Sequence, residues 1–274
     1  MRDLLTIGRK RIGYLKAESS AGPSDGSKPV RTLLVLHAFP LNADMWEPQI
    51  AALPPGWRLI APDYRGCGQS SLPDGTQTLD DYAGDVVDLL DALHVHEAAV
   101  AGCSMGGYLA FALLRTAPQY VSGLMLIDTR AQADIDEGKA GRRKMLEMID
   151  RAGTEGVAQE MLPKLLGAST RRNRPDLVNL IEQLIMSNPP QALKAAVAAM
   201  MARSDSTDLL KGLHLPAAVV AGDEDALIPL AAAQDLQRAL SGSTLDIIRE
   251  SGHLPSLEQP AAFNAVLKRF LERV

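Results

Sequence analysis

The chain has 274 residues, 46% of them hydrophobic and 22% charged, with a formal net charge of -5. That length and apolar fraction suit one large α/β domain with a substantial core and an insertion, and the mixed charges exclude a basic face for nucleic acid or membrane binding. No segment is apolar for long enough to span a bilayer, and residues 1–18 alternate apolar with charged residues, unlike a signal peptide.

Two cysteines, Cys67 and Cys103, form no disulfide framework and predict reduced thiols in the cytoplasm. From Leu4 to Lys16 the pattern predicts two short antiparallel strands joined near Gly8, followed by a Ser/Gly/Pro-rich connection from Ser19 to Lys28. Six nearly continuous apolar runs then predict strands covered on both faces: Thr32–Leu36, Trp57–Ala61, Ala98–Ala101, Gly123–Ile127, Ala217–Ala221 and Leu245–Ile248. Helices fall between them. Thr78 with Asp81 predicts a capping box for a helix whose apolar face is Leu79, Tyr82, Val86, Leu89, Leu90 and Leu93. Phe263, Val266, Leu267, Phe270 and Leu271 mark the last helix in the same way. Strands alternating with helices predict a mostly parallel, doubly wound sheet with its site at the strands' carboxyl ends.

The alternation breaks between Ala131 and about Gly212, where helical stretches are interrupted only by glycines and prolines. The division expected is a core of residues 1–130 and 213–274 with a helical cap at 131–212. Six of the ten methionines fall in the cap: Met145, Met148, Met161, Met186, Met200 and Met201. Most are expected to fill the cap's own core, with a minority on the pocket wall. Arg171, Arg172 and Arg174 read as a solvated turn.

The chemistry concentrates in Gly102-Cys103-Ser104-Met105-Gly106-Gly107, which follows an apolar run and precedes Tyr108–Leu114. A strand, sharp turn and helix would force Ser104 outward, while Gly102 and Gly106 let strand and helix approach closely. The same turn sets the Met105 amide at a helix N-terminus, free to meet a developing negative charge. Cys103 faces the interior in this arrangement and acts as a small apolar residue. Downstream, one strand leads into Gly222-Asp223-Glu224-Asp225-Ala226-Leu227-Ile228-Pro229 and another into Ser251-Gly252-His253. The order is serine, aspartate, histidine.

These segments, with His37-Ala38-Phe39-Pro40 and Asp63-Tyr64-Arg65-Gly66-Cys67-Gly68-Gln69-Ser70, make the chain resemble the α/β-hydrolase superfamily over nearly its whole length. The resemblance implies an eight-stranded sheet flanked by helices, with the cap inserted after the sixth strand. It implies a triad of Ser104, Asp225 and His253, an oxyanion hole of the Phe39 and Met105 amides, and no cofactor. One departure is Ala38, where the family usually has glycine. Asp128, after the sixth strand, is an alternative acid that some relatives would use; Asp225, in G-x-x-D-x-x-x-P, is preferred. Asp223 and Glu224 are then exposed turn residues, and His37 an anchor for the oxyanion loop. Asp63 and Arg65 are expected to pair, Cys67 to sit in a surface loop open to oxidants, and Trp46 to anchor a helix. Gly66 and Gly68 read as turn formers, since no lysine of a nucleotide loop follows. His94, His96 and His214 are too dispersed to suggest a metal.

The activity implied is cleavage of a carboxylic ester, or related carbonyl bond, of a small to medium, largely apolar substrate. A cofactor-free perhydrolase or haloperoxidase, a lactonase and a carbon–carbon bond hydrolase would use the same site. A ligand-binding receptor on a hydrolase shell is the alternative from another class. The expected partner is a small-molecule ester; a homo-oligomer is compatible with the pattern, which carries no signal for one.

Overall fold

The computed structural model describes residues 1–19 and 30–274. The Ser/Gly/Pro-rich connection expected over 19–28 therefore lies, beyond Ser19, outside the described residues. Eight strands form a single sheet: β1 (Arg2–Ile7), β2 (Lys10–Glu18), β3 (Arg31–Leu36), β4 (Trp57–Pro62), β5 (Ala98–Cys103), β6 (Val121–Ile127), β7 (Ala217–Gly222) and β8 (Thr244–Ile248). Their order is β1-β2-β4-β3-β5-β6-β7-β8. β1 pairs antiparallel with β2, and β2 with β4; every other pairing is parallel. The six strands expected from apolar runs all form, each with ends within two residues of the expectation. β5 and β7 are buried at every position, as strands covered on both faces must be, whereas the edge strands β1 and β8 keep exposed positions.

Helices cover both faces: α1 (Glu47–Ile50), α2 (Leu79–Ala92), α3 (Met105–Thr116), α4 (Asp136–Leu165), α5 (Ala168–Asn173), α6 (Pro175–Met186), α7 (Pro190–Met201), α8 (Thr207–Leu210), α9 (Leu230–Ala239), α10 (Pro255–Glu258) and α11 (Pro260–Leu271). The capping box of α2 is complete. The Asp81 amide donates to Thr78 Oγ1 at 3.2 Å and the Thr78 amide to Asp81 Oδ2 at 2.9 Å. Helix α3 buries every residue from Met105 to Leu114, which places the first turn after β5 deep in the molecule. Trp46 is fully buried against Phe263, with ring centroids 6.3 Å apart, and so anchors its segment.

The chain between β6 and β7 is α4 to α8, with α4 packed on α6 and α7. Gly153, at φ 60° and ψ -153°, breaks α4 into two helical arms. Buried side chains of this segment, among them Ile149, Val157, Leu165, Ile181 and Val197, join the same apolar cluster as the sheet. The helical segment thus packs onto the carboxyl ends of the strands as part of the core.

Two loop expectations are corrected by the packing. Asp63 and Arg65 do not pair with each other: Asp63 pairs with Arg2 and accepts from the Ala43 and Gln69 amides at 3.0 Å, while Arg65 pairs with Asp85. Each carboxylate fixes a loop to a distant element, which local spacing does not reveal. Cys67 is 3% exposed and not a surface thiol: the loop runs at the surface, with Gly68 and Gln69 exposed, but turns this side chain inward.

Candidate active site

Ser104 sits between β5 and α3 at φ 54° and ψ -112°, outside the conformations an L-residue adopts freely. The surroundings enforce that backbone. The Ser104 amide donates to the Ile127 carbonyl at 2.9 Å, and the Ser104 carbonyl accepts from Thr129 Oγ1 at 2.8 Å and the Gly107 amide at 2.9 Å. A Cβ on Gly106 would come 2.1 Å from the Leu36 carbonyl oxygen, and one on Gly102 2.3 Å from the Gly106 carbonyl oxygen. Only glycine fits between backbones this close. Cys103, fully buried, points the other way, with Sγ 3.6 Å from the His253 carbonyl oxygen.

His253 follows β8 and Asp225 follows β7, so both rise from the carboxyl ends of neighbouring strands. His253 Nδ1 lies 2.8 Å from Asp225 Oδ2, with both side chains 1% exposed. A carboxylate there only accepts, so Nδ1 carries a proton and donates it, and in the neutral ring Nε2 is the nitrogen that accepts. Asp225 Oδ1 accepts from the Leu227 and Ile228 amides at 2.7 and 3.2 Å. Burial alone would push the Asp225 carboxyl up, but the adjacent His253 and these hydrogen bonds outweigh it and hold the group below the usual carboxylate range.

Asp128 stands beside Asp225 and not beside the imidazole. It adopts φ 42° at the end of β6, and its Oδ1 accepts from the Gly222 amide at 3.0 Å, tying β6 to the turn that carries Asp225. Burial, followed by the Asp225 charge, pushes the Asp128 carboxyl well above the usual range. Glu224, expected to be an exposed turn residue, instead accepts from the Ser169 amide at 2.7 Å and holds the start of α5.

The loop that follows β3 and carries Phe39 is anchored by His37. Its Nδ1 lies 3.1 Å from the Ala38 carbonyl oxygen, its Nε2 accepts from the Tyr64 amide at 3.2 Å, and its ring stacks on Tyr64 at 3.6 Å. Ala38 keeps a negative φ, so the position makes no conformational demand for glycine, and its amide donates to Met45 Sδ at 3.2 Å. The Phe39 amide has no acceptor among the described residues. The Met105 amide, first in α3, has no intrahelical acceptor. Asn188, between α6 and α7, donates to the Pro40 and Leu41 carbonyls at 2.8 and 3.2 Å, holding this loop from the helical side.

Ser104, Phe39 and His253 line one cavity of about 1060 Å³, roofed by α4 and walled by residues following β6 and β7. Four of the six cap methionines, Met145, Met148, Met161 and Met200, lie on its wall, more than the minority expected; Met186 is 48% exposed. Sequence reasoning missed Tyr108 and Arg130 on this wall. Arg130 carried one usable signal, a cation three positions past a central strand.

Residues 31–260 match the sequence profile of the alpha/beta hydrolase fold family. A thermophilic esterase from Thermogutta terrifontis, solved with malate bound, is 33% identical, superposes with a TM-score of 0.88, and is matched over 99% of this chain and 98% of its own. The 3-oxoadipate enol-lactonase 2 of Acinetobacter baylyi is 28% identical over 87% of this chain and 89% of its own. A putative carbamate hydrolase of Variovorax paradoxus is 28% identical over 92% and 94%.

Proposed function

Since this chain belongs to the alpha/beta hydrolase fold family, we propose that it is a serine hydrolase that cleaves carboxylic esters of small to medium, largely apolar substrates through an acyl-enzyme. The hydrogen bond from His253 to Asp225 at 2.8 Å, on a ring that shares one cavity wall with Ser104, is the observation that carries this. His253 Nε2 takes the Ser104 proton as Oγ attacks the carbonyl carbon, and Asp225 stabilises the imidazolium that results. The Phe39 and Met105 amides receive the oxyanion; removing one such donor raises the barrier by ~3 kcal/mol. The ring then gives the proton to the departing alcohol. Water, deprotonated by the same nitrogen, attacks the acyl-enzyme and frees the acid and Ser104.

The thioether and aliphatic wall of Met145, Met148, Met161, Met200, Leu227 and Ile228 favours an apolar substrate body. The helical segment over Ser104 is the cap that shapes it. A lactone is the second reading, supported by the enol-lactonase relative, and needs only that leaving alcohol and acyl group belong to one ring. A fluorophosphonate probe is expected to label the wild-type protein and not Ser104→Ala. Nitrophenyl esters of graded acyl length, assayed beside lactones and with and without peroxide, then rank ester, lactone and peracid chemistry. Absence of both labelling and turnover would overturn the proposal in favour of a binding role.

A further inference from the structure

Several of the charged side chains around the cavity are neutralised by a partner. Asp134 pairs with Arg203 at 2.8 Å and Arg142 at 3.1 Å, Glu160 pairs with Lys164, and Asp235 with Arg238. Glu137, Lys144 and Arg151 are exposed at the rim. Arg130 differs from all of these. It is half-buried on the same wall as Ser104, Phe39 and His253. Its Nε is buried without a hydrogen-bond partner, and among the described residues no carboxylate pairs with its guanidinium.

The buried Nε costs about 1–3 kcal/mol unpaired and is out of a ligand's reach, as is that of Arg203; the terminal nitrogens of Arg130, with no carboxylate against them among the described residues, are the donors free to meet an anion in the cavity. Its mount is firm. Two positions earlier Asp128 is bonded to the Gly222 amide at 3.0 Å, and one position earlier Thr129 is bonded to the Ser104 carbonyl at 2.8 Å. The backbone that carries Arg130 is therefore fixed relative to the Ser104 turn. The planar fork of arginine suits bidentate pairing with a carboxylate. One unpaired guanidinium neutralises one negative charge, which favours a carboxylate over a phosphate dianion in a cavity whose wall also holds Asp134 and Glu137.

We propose that Arg130 is a specificity-determining residue that binds a carboxylate on the substrate, away from the bond being cleaved. This rests on the ester hydrolysis proposed above and narrows it. The substrate is then a half-ester or a carboxylated lactone with its carbonyl at Ser104, an apolar chain along the methionine wall and its free acid at Arg130. Binding energy at that remote end holds the carbonyl in place for attack.

The test compares the nitrophenyl half-ester of adipic acid with the nitrophenyl ester of the chain-matched acid ending in isopropyl. In the wild-type protein the half-ester is expected to be preferred. In Arg130→Met the ratio of kcat/KM for the charged ester over the neutral one falls roughly 10- to 100-fold, chiefly through KM, with Arg130→Lys between them. A ratio that does not move, or a wild-type preference for the neutral ester, would overturn the proposal. Calorimetric binding of adipate to Ser104→Ala, with and without Arg130→Met, separates this from the ester chemistry. Adipate binding that depends on Arg130 without turnover of any ester keeps the anion site and removes the hydrolase reading; adipate affinity indifferent to Arg130 removes the site.

Discussion

Two buried carboxyls and one buried imidazole give the site its residue-scale electrostatics. Asp128 and Asp225 are buried neighbours, and two carboxyls so placed favour a single negative charge between them. Burial and the Asp225 charge push the Asp128 carboxyl well up, so Asp128 is the one that holds the proton; its Oδ1 accepts from the Gly222 amide and its Oδ2 has no partner among the described residues. An amide keeps the Gly222 contact and is likewise uncharged. Asp128→Asn is therefore expected to keep turnover within about tenfold, whereas Asp225→Asn, which presents the wrong hydrogen-bonding group to the imidazole, loses about 10⁴-fold. Steady-state kinetics on one nitrophenyl ester decides it, and the reverse ranking would make Asp128 the acid of the triad. His37 gives a stability effect of definite sign. Burial lowers its imidazole to about 4 from an ordinary 6.5, and a second ring proton would displace the Tyr64 amide from Nε2. As pH falls below 6.5 the unfolded chain binds a proton that the folded chain refuses until about 4, so stability drops across that window. The loss attributable to His37 is about 3 kcal/mol, read as the change with pH in the urea-unfolding difference between wild type and His37→Gln. A difference that stays flat from neutral pH to pH 4 would sink it.

At the scale of elements, the helices between β6 and β7 hold the loops that carry Phe39 and His253 as well as roofing them. Asn188 bonds the Phe39 loop at Pro40 and Leu41 and accepts from the Gly68 amide at 3.0 Å. At the other end, Glu258 in α10 accepts from the Gly167 amide at 2.8 Å and the Leu254 amide at 3.1 Å, and the His253 amide donates to the Leu165 carbonyl at 3.0 Å. The junction of α4 and α5 is thus fastened to the loop that carries His253. Asn188→Ala leaves the buried Pro40 carbonyl and Gly68 amide without their partner, and is expected to lower stability by about 2 kcal/mol in urea unfolding and to reduce kcat more than it raises KM. Unchanged kcat in a stable, folded Asn188→Ala protein would show that the Phe39 loop keeps its place unaided. These fastenings explain what the sequence hid. Ser104, Asp225 and His253 each sit in a short motif after an apolar run, so their place was legible from neighbours in the chain. Asn188 and Glu258 derive their roles from partners far away in sequence, and Arg130 from the cavity it lines; no local periodicity marks such residues.

For the whole molecule, the strand plan was legible because covering a sheet on both faces demands continuous apolar runs, and the apolar runs at β3 to β7 are of that kind, whereas β8 formed from an apolar run but is an edge strand with Ile247 exposed. Loop depth was not, because it depends on what folds over the loop. Cys67 shows this: its polar, glycine-rich loop does lie at the surface, yet bonds from Gly68 to Asn188 and from Gln69 to Asp63 hold the loop with the thiol turned inward. Burial pushes both thiols up, so neither is a ready thiolate in the native protein. Their labelling then reports how the fold opens. Cys103 lies in β5, between β3 and β6 in the middle of the sheet, and reaching it requires the sheet to come apart. Cys67 needs only its loop and the Asn188 contact to release. With an aromatic disulfide reagent in rising urea below the unfolding midpoint, Cys67 is expected to react first with a shallow urea dependence, and Cys103 later with the full slope of global unfolding. Asn188→Ala should bring the Cys67 reaction forward and leave the urea slope for Cys103 unchanged. Fast labelling of Cys103 in native buffer would contradict a continuous core that joins the sheet to the helices above it.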